Sequence, residues 1–131
     1  MKVLALDYGS ARTGVAVSDP SGTLARPVGV VERVRSKAGR ARLLALIGEE
    51  KPELVVVGLP LTLRGTRGPQ AKETERFVEE LRAATPVPVE TWDERFTTAL
   101  AGTSAAGAPD DARAAAHLLS SYLEWQSRAR A

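Results

Sequence analysis

The chain alternates between short apolar runs and stretches in which apolar residues recur at helical spacing. Apolar runs at residues 2–7, 14–18 and 23–31 are separated by short turns, so they predict three strands in an antiparallel meander. Pro27 interrupts the third run and, because proline donates no ladder hydrogen bond, predicts an edge strand or a bulge there. Asp19 begins the sequence Asp-Pro-Ser-Gly, which is typical of a β-turn, so we expect it to be structural.

The rest of the chain alternates helical and strand patterns. Apolar residues at offsets of three and four predict a helix over 36–50, with Ser36 as its N-cap. The further predicted elements are a strand at 52–60, a loop at 61–68, a helix at 69–84, a strand at 87–92, a short helical turn at 97–102 and a last helix from about Asp110 to Gln126. The order β-β-β-α-β-α-β-α predicts an α/β fold with a mixed five-stranded sheet, three strands antiparallel and two parallel, and helices on both faces. We expect residues 1–131 to form a single domain.

The composition, 44% hydrophobic and 26% charged, is that of an ordinary soluble globular protein. The chain contains no cysteine, which excludes disulfides and thiolate metal sites. No run approaches the roughly 20 apolar residues of a membrane span, and the apolar run at the start is too short for a signal peptide. We therefore expect a cytoplasmic protein without a membrane partner.

Carboxylates follow the ends of two predicted strands. Asp7 ends the first strand, and Glu94 lies just past the fifth. In this element order the first, fourth and fifth strands end at one edge of the sheet, where open α/β sheets bind ligands, so Asp7, Glu94 and the turn at 58–60 share that edge. Asp93 is the rival of Glu94, because the pattern leaves the end of the strand uncertain by a residue or two.

A third acid lies in the first turn of the last helix. Asp111 is followed along one helical face by Ala115, Leu119 and Tyr122, so it ends a buried stripe, while the neighbouring Asp110 competes with it. Several acids in one cleft repel each other unless a cation lies between them, and oxygen donors favour Mg²⁺ or Mn²⁺. Two such ions about 4 Å apart make a site for in-line attack on a phosphodiester.

Four motifs, in order along the chain, together resemble the YqgF-type family: ALDYGSARTGVAVSD, VVVGLP followed by RGT, DERFTT, and DARAAAHLLSSYLEW. Members of this family are described as pre-16S rRNA nucleases and as Holliday-junction resolvases with a ribonuclease-H-like fold. The resemblance spans residues 2–125 and implies a metal-dependent nuclease that works as a monomer or a small homo-oligomer such as a dimer. The family's acidic, metal-binding positions fall on Asp7, Glu94 and Asp111.

Residues around these acids are predicted to contact the substrate. Glycines permit close approach of a phosphate, and arginines and threonines offer donors to it. For Arg95 an ion pair with an acid is an equally open alternative. The predicted contacts are Gly9, Arg12, Thr13, Gly58, Pro60, Arg95 and Thr97. The segment LAGTSAAGAPDD departs from the family because it has no lysine, which leaves substrate affinity open.

Three functions are compatible with the opening motif. The first is a two-metal-ion endonuclease acting on structured nucleic acid, either in 5′ processing of pre-16S rRNA or on branched DNA. The second is an ATP-binding module of the actin and sugar-kinase class, whose phosphate motif is also Asp-x-Gly-Ser, but 131 residues supply only one of the two lobes such proteins need. The third is a non-catalytic nucleic-acid-binding or ribosome-assembly protein. The acids and the chain length favour the endonuclease.

Overall fold

The computed structural model describes residues 1–96 and 110–130. Within them the strands are β1 Val3–Asp7, β2 Arg12–Ser18, β3 Ala25–Glu32, β4 Leu54–Leu59 and β5 Val89–Asp93. They form a five-stranded sheet with the order β3-β2-β1-β4-β5. Strand β1 pairs antiparallel with β2 and parallel with β4, β2 pairs antiparallel with β3, and β4 pairs parallel with β5. The predicted mixed sheet is confirmed.

Helices cover both faces of the sheet. Successive strand side chains point to opposite faces, so each face carries its own apolar cluster for helices to pack against. Leu4 and Leu6 of β1 belong to the cluster under α1 (Lys37–Glu50) and α2 (Pro69–Ala84). Val3 and Ala5 belong to the cluster under α3 (Asp110–Arg130). Side chains alternate along a strand, so Asp7 continues the face that packs against α3. None of the helices in these described ranges is long and apolar enough to cross a membrane.

The element bounds differ from the predicted ones mainly at their ends. Helix α3 continues beyond Gln126 to Arg130, and its last turns carry an ion pair from Arg128 to Glu124 at 2.6 Å, a spacing that supports a helix. A 3₁₀ turn, Glu94–Phe96, follows β5 directly. The predicted helical turn at 97–102 lies outside the described residues.

The edge strand β3 behaves as its proline predicts. Pro27 lies opposite Ala16, and Gly29 lies opposite Val15, so the register shifts between these pairs and Val28 is bulged. A proline is tolerated here because β3 has a free side. Both predicted consequences of Pro27, the edge position and the bulge, are therefore present.

The turn between β2 and β3 is built around Asp19. The Gly22 amide donates to the Asp19 carbonyl at 3.0 Å, and the Asp19 carboxylate accepts from the Thr23 amide at 2.7 Å and the Leu24 amide at 3.0 Å. A 2.6 Å hydrogen bond from the Ser21 hydroxyl, followed by those two amides, lowers the pKa of Asp19 to about 2. The structural role predicted for Asp19 is confirmed.

Candidate active site

The carboxyl ends of the parallel strands meet beside a cleft of about 240 Å³. Because Leu59 of β4 pairs with Asp93 of β5, the next residues along both strands, Pro60 and Glu94, reach the cleft together. Asp7 reaches it from β1. The lining residues are Asp7, Tyr8, Gly9, Ser10, Pro60, Gln70, Glu73, Thr74 and Glu94. The strand ends therefore bring two of the three predicted acids into one cleft.

Asp7 and Glu94 are in contact, with their carboxyl groups close enough for a hydrogen bond between them. Burial, together with the charge of Asp7, raises the pKa of Glu94 to about 7. Burial also raises the pKa of Asp7; the hydrogen bond from Glu94 opposes that rise, and the negative charge of Asp111 adds to it. Two carboxyl groups this close hold a proton between them unless a cation offsets their charge.

A glycine on the neighbouring strand leaves the room that Glu94 occupies. A Cβ atom at Gly58 would lie 2.5 Å from Glu94 Oε1 and would also collide with the side chain of Leu118 on α3. No side chain fits at this position without moving one of these neighbours. Gly58 therefore contributes to the site through the absence of a side chain.

Asp111 approaches from α3 and is held apart from the other two acids. Arg12 Nε lies 3.5 Å from Asp111 Oδ2. Asp111 is nevertheless close enough to Asp7 for its negative charge to raise the pKa of Asp7. Gly14 pairs with Asp7 across the β1–β2 ladder, and a Cβ atom there would collide with the Asp111 carbonyl group. The first turn of α3 thus lies directly on the strand beside Asp7.

Both acids that the sequence left as rivals are engaged elsewhere. Asp93 accepts three hydrogen bonds from the Arg95 guanidinium, the shortest at 2.6 Å from Nη2, and this pairing lowers the pKa of Asp93. Asp110 has a 98% exposed side chain and an ion pair to Arg113 at 3.5 Å. The structure accordingly brings Glu94 rather than Asp93 to Asp7, and turns Asp111 rather than Asp110 toward Arg12.

The turn after β1 and the start of β2 contain three of the predicted substrate-contacting residues. Thr13 is fully buried, and its hydroxyl donates to the Gly9 carbonyl at 3.2 Å and accepts from the Gly9 amide at 3.4 Å. Thr13 thus shapes the turn from within instead of facing the cleft. Gly9 lines the cleft, and a Cβ atom at this position would collide with the Arg12 carbonyl oxygen. Arg12 is exposed beside Asp111, where its guanidinium is open to solvent.

The other predicted contacts fall into three groups. Pro60 lines the cleft, and Gly58 lies behind Glu94. Arg95 forms the ion pair with Asp93 that the sequence offered as an alternative to a phosphate contact. Thr97 lies outside the described residues, so its predicted contact stays a prediction.

Sequence reasoning missed the pair formed by Tyr8 and Glu73. The Tyr8 hydroxyl donates to Glu73 Oε2 at 2.7 Å, and the Tyr8 ring stacks on Phe77 with centroids 4.7 Å apart. Burial and the bond to Glu73 raise the pKa of Tyr8 to about 12. Glu73 lies four residues before the buried Phe77, so helical spacing places it near the inner face of α2 and is the signal that points to it.

The carboxylates form an all-oxygen donor set of the kind that binds Mg²⁺ or Mn²⁺. Across residues 1–96 and 110–130, no group of three or more His, Cys, Asp or Glu side chains is gathered closely enough to hold a metal ion. Asp7 and Glu94 are in contact, while Asp111 is paired with Arg12. The contacting pair fits a divalent cation, because such an ion offsets the repulsion between two buried carboxylates.

The family of the chain follows from comparison with known proteins. The family model RuvX, described as Holliday junction resolvase, matches residues 1–125. The chain belongs to the RuvX family. It is 41% identical over 98 residues to a Thermoanaerobacter pseudethanolicus protein named "Putative pre-16S rRNA nuclease", covering 75% of this chain and 70% of that protein. A Desulforudis audaxviator protein of the same name is 43% identical over 99 residues, with 76% and 70% covered. The resemblance drawn from the motifs is confirmed.

Solved structures resemble this RuvX family chain in fold. T. thermophilus RuvC in complex with a Holliday junction substrate matches with a TM-score of 0.71 and 21% identity, covering 100% of this chain and 98% of that chain. The yeast mitochondrial Holliday junction resolvase Ydc2 matches with a TM-score of 0.54 and 10% identity, covering 98% and 80%. These likenesses confirm the predicted ribonuclease-H-like fold.

Proposed function

We propose that the chain is a divalent-metal-dependent endonuclease that hydrolyses phosphodiester bonds of structured nucleic acid. The observation that carries the proposal is the contact between the Asp7 and Glu94 carboxyl groups in the cleft where β1, β4 and β5 end. A buried pair of acids is costly to maintain for packing alone, since each charge loses solvation and repels the other. Membership of the RuvX family supports the same function.

Asp7, Glu94 and Asp111 are the acids that would hold the metal. When bound, one or two divalent ions activate a water molecule and stabilise the leaving oxygen. Asp7 supplies the central carboxylate, because it contacts Glu94 and senses the charge of Asp111. Glu94 supplies the second carboxylate, in contact with Asp7. Arg12 lies beside Asp111 and exposes a guanidinium suited to binding a phosphate oxygen.

The substrate proposed first is the 5′ region of pre-16S rRNA. The support is the name carried by relatives that are 41% and 43% identical to this chain. The second candidate is a branched DNA, which the description of the RuvX family favours. We also propose that the protein consists of one domain and acts in the cytoplasm. In the same proposal, the substrate contacts the cleft residues Gly9 and Pro60.

The test is a cleavage panel in Mn²⁺ and in Mg²⁺. The substrates are a precursor rRNA fragment, a four-way DNA junction and a single-stranded DNA. The expected result is that wild type cuts the rRNA fragment or the junction, that Asp7→Asn cuts neither, and that Asp110→Asn cuts like wild type because its side chain points to solvent. Cleavage by Asp7→Asn at the wild-type rate would overturn the proposed site. Cleavage of the junction but not of the rRNA would replace the first substrate by the second.

A further inference from the structure

Residues 61–68 form a loop at the rim of the cleft, here called the rim loop. It begins directly after Pro60 and ends at Gly68, directly before α2 starts at Pro69. Pro60 and Gln70, on either side of the loop, both line the cleft. The rim loop therefore connects two residues that line the cleft and lies at its edge.

Hydrogen bonds within the rim loop give it a defined shape. The Thr62 amide donates to the Thr66 carbonyl at 3.0 Å, and the Gly65 amide donates to the Thr62 carbonyl at 2.8 Å. The Thr66 amide also donates to the Thr62 hydroxyl oxygen at 3.1 Å. Gly65 has φ of 80°, a conformation that favours glycine, so the turn depends on this residue. These hydrogen bonds stabilise the loop backbone, although the apolar side chain at the tip, Leu63, is not buried.

Arg95 forms a hydrogen bond with the backbone of the rim loop, next in sequence to Glu94 of the paired carboxyl groups. Its Nη1 donates to the Leu63 carbonyl oxygen at 3.4 Å, and its Nη2 donates to the Asp93 carboxylate at 2.6 Å. A Cβ atom at Gly65 would lie 3.2 Å from the same Nη1, so glycine lets the guanidinium approach the loop backbone. Arg95 directly follows Glu94, which makes the tip of the loop a neighbour of the site.

The tip of the rim loop presents an apolar side chain to solvent. Leu63 is 94% exposed, and Arg64 beside it is exposed as well. On the other side of Arg95, Phe96 is 61% exposed, with its ring centroid 5.8 Å from the guanidinium carbon. A single exposed leucine is ordinary. Arg95 contacts the backbone of Leu63 and the ring of Phe96, so two exposed apolar residues lie on segments that meet at this guanidinium. An exposed apolar side chain beside cationic groups suits a nucleic-acid base, whose face is flat and apolar.

We propose that the rim loop binds an unpaired base of the substrate, with Leu63 packed against the base and Arg64 at a neighbouring phosphate. The inference rests on the proposed function, since it needs a nucleic-acid strand in the cleft. Apolar side chains that enter between bases bind best where a base is already unstacked. A bulge or branch offers such a base, whereas a continuous duplex presents mainly its phosphates.

The test measures binding rather than cleavage, in an Asp7→Asn background that does not cut. The probes are an RNA hairpin with one bulged 2-aminopurine, whose fluorescence reports its stacking, and a fully paired hairpin of equal length. The added substitutions are Leu63→Ala, Leu63→Phe and the matched control Leu24→Ala. Leu24 is 62% exposed and lies in the turn between β2 and β3.

We expect Leu63→Ala to weaken binding of the bulged hairpin about tenfold, to abolish its fluorescence change, and to alter binding of the paired hairpin by less than about twofold. Leu63→Phe should keep both signals, and Leu24→Ala should behave like the parent. Equal binding of the bulged hairpin by Leu63→Ala and the parent would overturn the inference while leaving the proposed function intact. An equal loss on both hairpins would overturn the base contact. No binding of either hairpin by the parent or by wild type would overturn the inference, while the proposed function is judged separately by the cleavage panel, which includes branched DNA.

Discussion

Gly14 of β2 packs directly against the backbone of Asp111 in the first turn of α3. A Cβ atom at residue 14 would collide with the Asp111 carbonyl group and lie 3.1 Å from the Ala112 nitrogen. Gly14 is also the ladder partner of Asp7. One glycine thus sets how closely the helix that carries Asp111 approaches the strand that carries Asp7.

The substitution Gly14→Ala should displace the start of α3 and impair both folding and the site. Overpacking of a tight contact costs about 1–3 kcal/mol, so we expect a loss of that order in the free energy of unfolding, measured by urea denaturation. Cleavage should fall more than stability explains, because Asp111 moves relative to Asp7. Gly29→Ala is the matched control, since a Cβ atom at that strand glycine meets nothing within 4 Å. A Gly14→Ala protein as stable and active as Gly29→Ala would contradict this account.

The substitution Thr13→Val should destabilise the turn after β1. Valine has nearly the shape of threonine but leaves the Gly9 carbonyl and amide without the hydroxyl that now bonds them, at a cost of about 1–2 kcal/mol. Thr13→Ser, which keeps the hydroxyl, should lose less. Thermal unfolding of both variants measures the difference. If Thr13→Val lowered substrate affinity and left stability unchanged, a direct contact of Thr13 with substrate would explain the result better.

The substitution Tyr8→Phe should remove a hydrogen bond while keeping the aromatic stack on Phe77. The lost bond to Glu73, 2.7 Å long, predicts a destabilisation of about 1 kcal/mol. Glu73→Gln retains an acceptor for the Tyr8 hydroxyl and should be milder. Chemical denaturation of the two variants and of wild type gives the comparison. Equal stability of Tyr8→Phe and wild type would show that the bond contributes nothing net.

The pH dependence of stability should show the turn formed by Asp19. Its pKa lies below the ordinary value of 3.8, at about 2, so the charged carboxylate is favoured in the folded state. Its contribution is therefore fully present above about pH 4 and is lost as the pH falls through about 2. Asp19→Asn imitates the protonated acid, so its melting temperature should lie below that of wild type by a constant amount from pH 7 to about 4, and the two should converge as the pH approaches 2. A difference that persists unchanged at the lowest pH would contradict the assignment.

The sequence predicts the sheet and the placement of its strand ends well, because both follow from local patterns. Asp7 ends an apolar run, and the element order alone brings that end to the edge where β4 and β5 also end. Pro27 likewise determines an edge and a bulge through its missing amide hydrogen. Such features depend on chain order and backbone chemistry, which a sequence displays directly.

Side-chain pairings across elements could not be predicted in the same way. The choice between Asp93 and Glu94 depends on the 3₁₀ turn after β5, in which Arg95 forms an ion pair with Asp93. The bond between Tyr8 and Glu73 depends on how α2 lies over the end of β1. Thr13 has the residue type of a phosphate ligand, yet its strand turns it inward. Each of these depends on packing between segments that are distant in the chain.

The most direct test of the central claim is calorimetric titration of the protein with Mn²⁺ alone, without nucleic acid. Wild type should bind the ion, and Glu94→Gln should bind it at least about tenfold more weakly, because one of the two contacting carboxylates is lost. Asp110→Asn, which alters an exposed acid outside the contact, should bind like wild type. No heat of binding from wild type, or equal affinity of wild type and Glu94→Gln, would contradict the assignment of this carboxylate pair as a metal site.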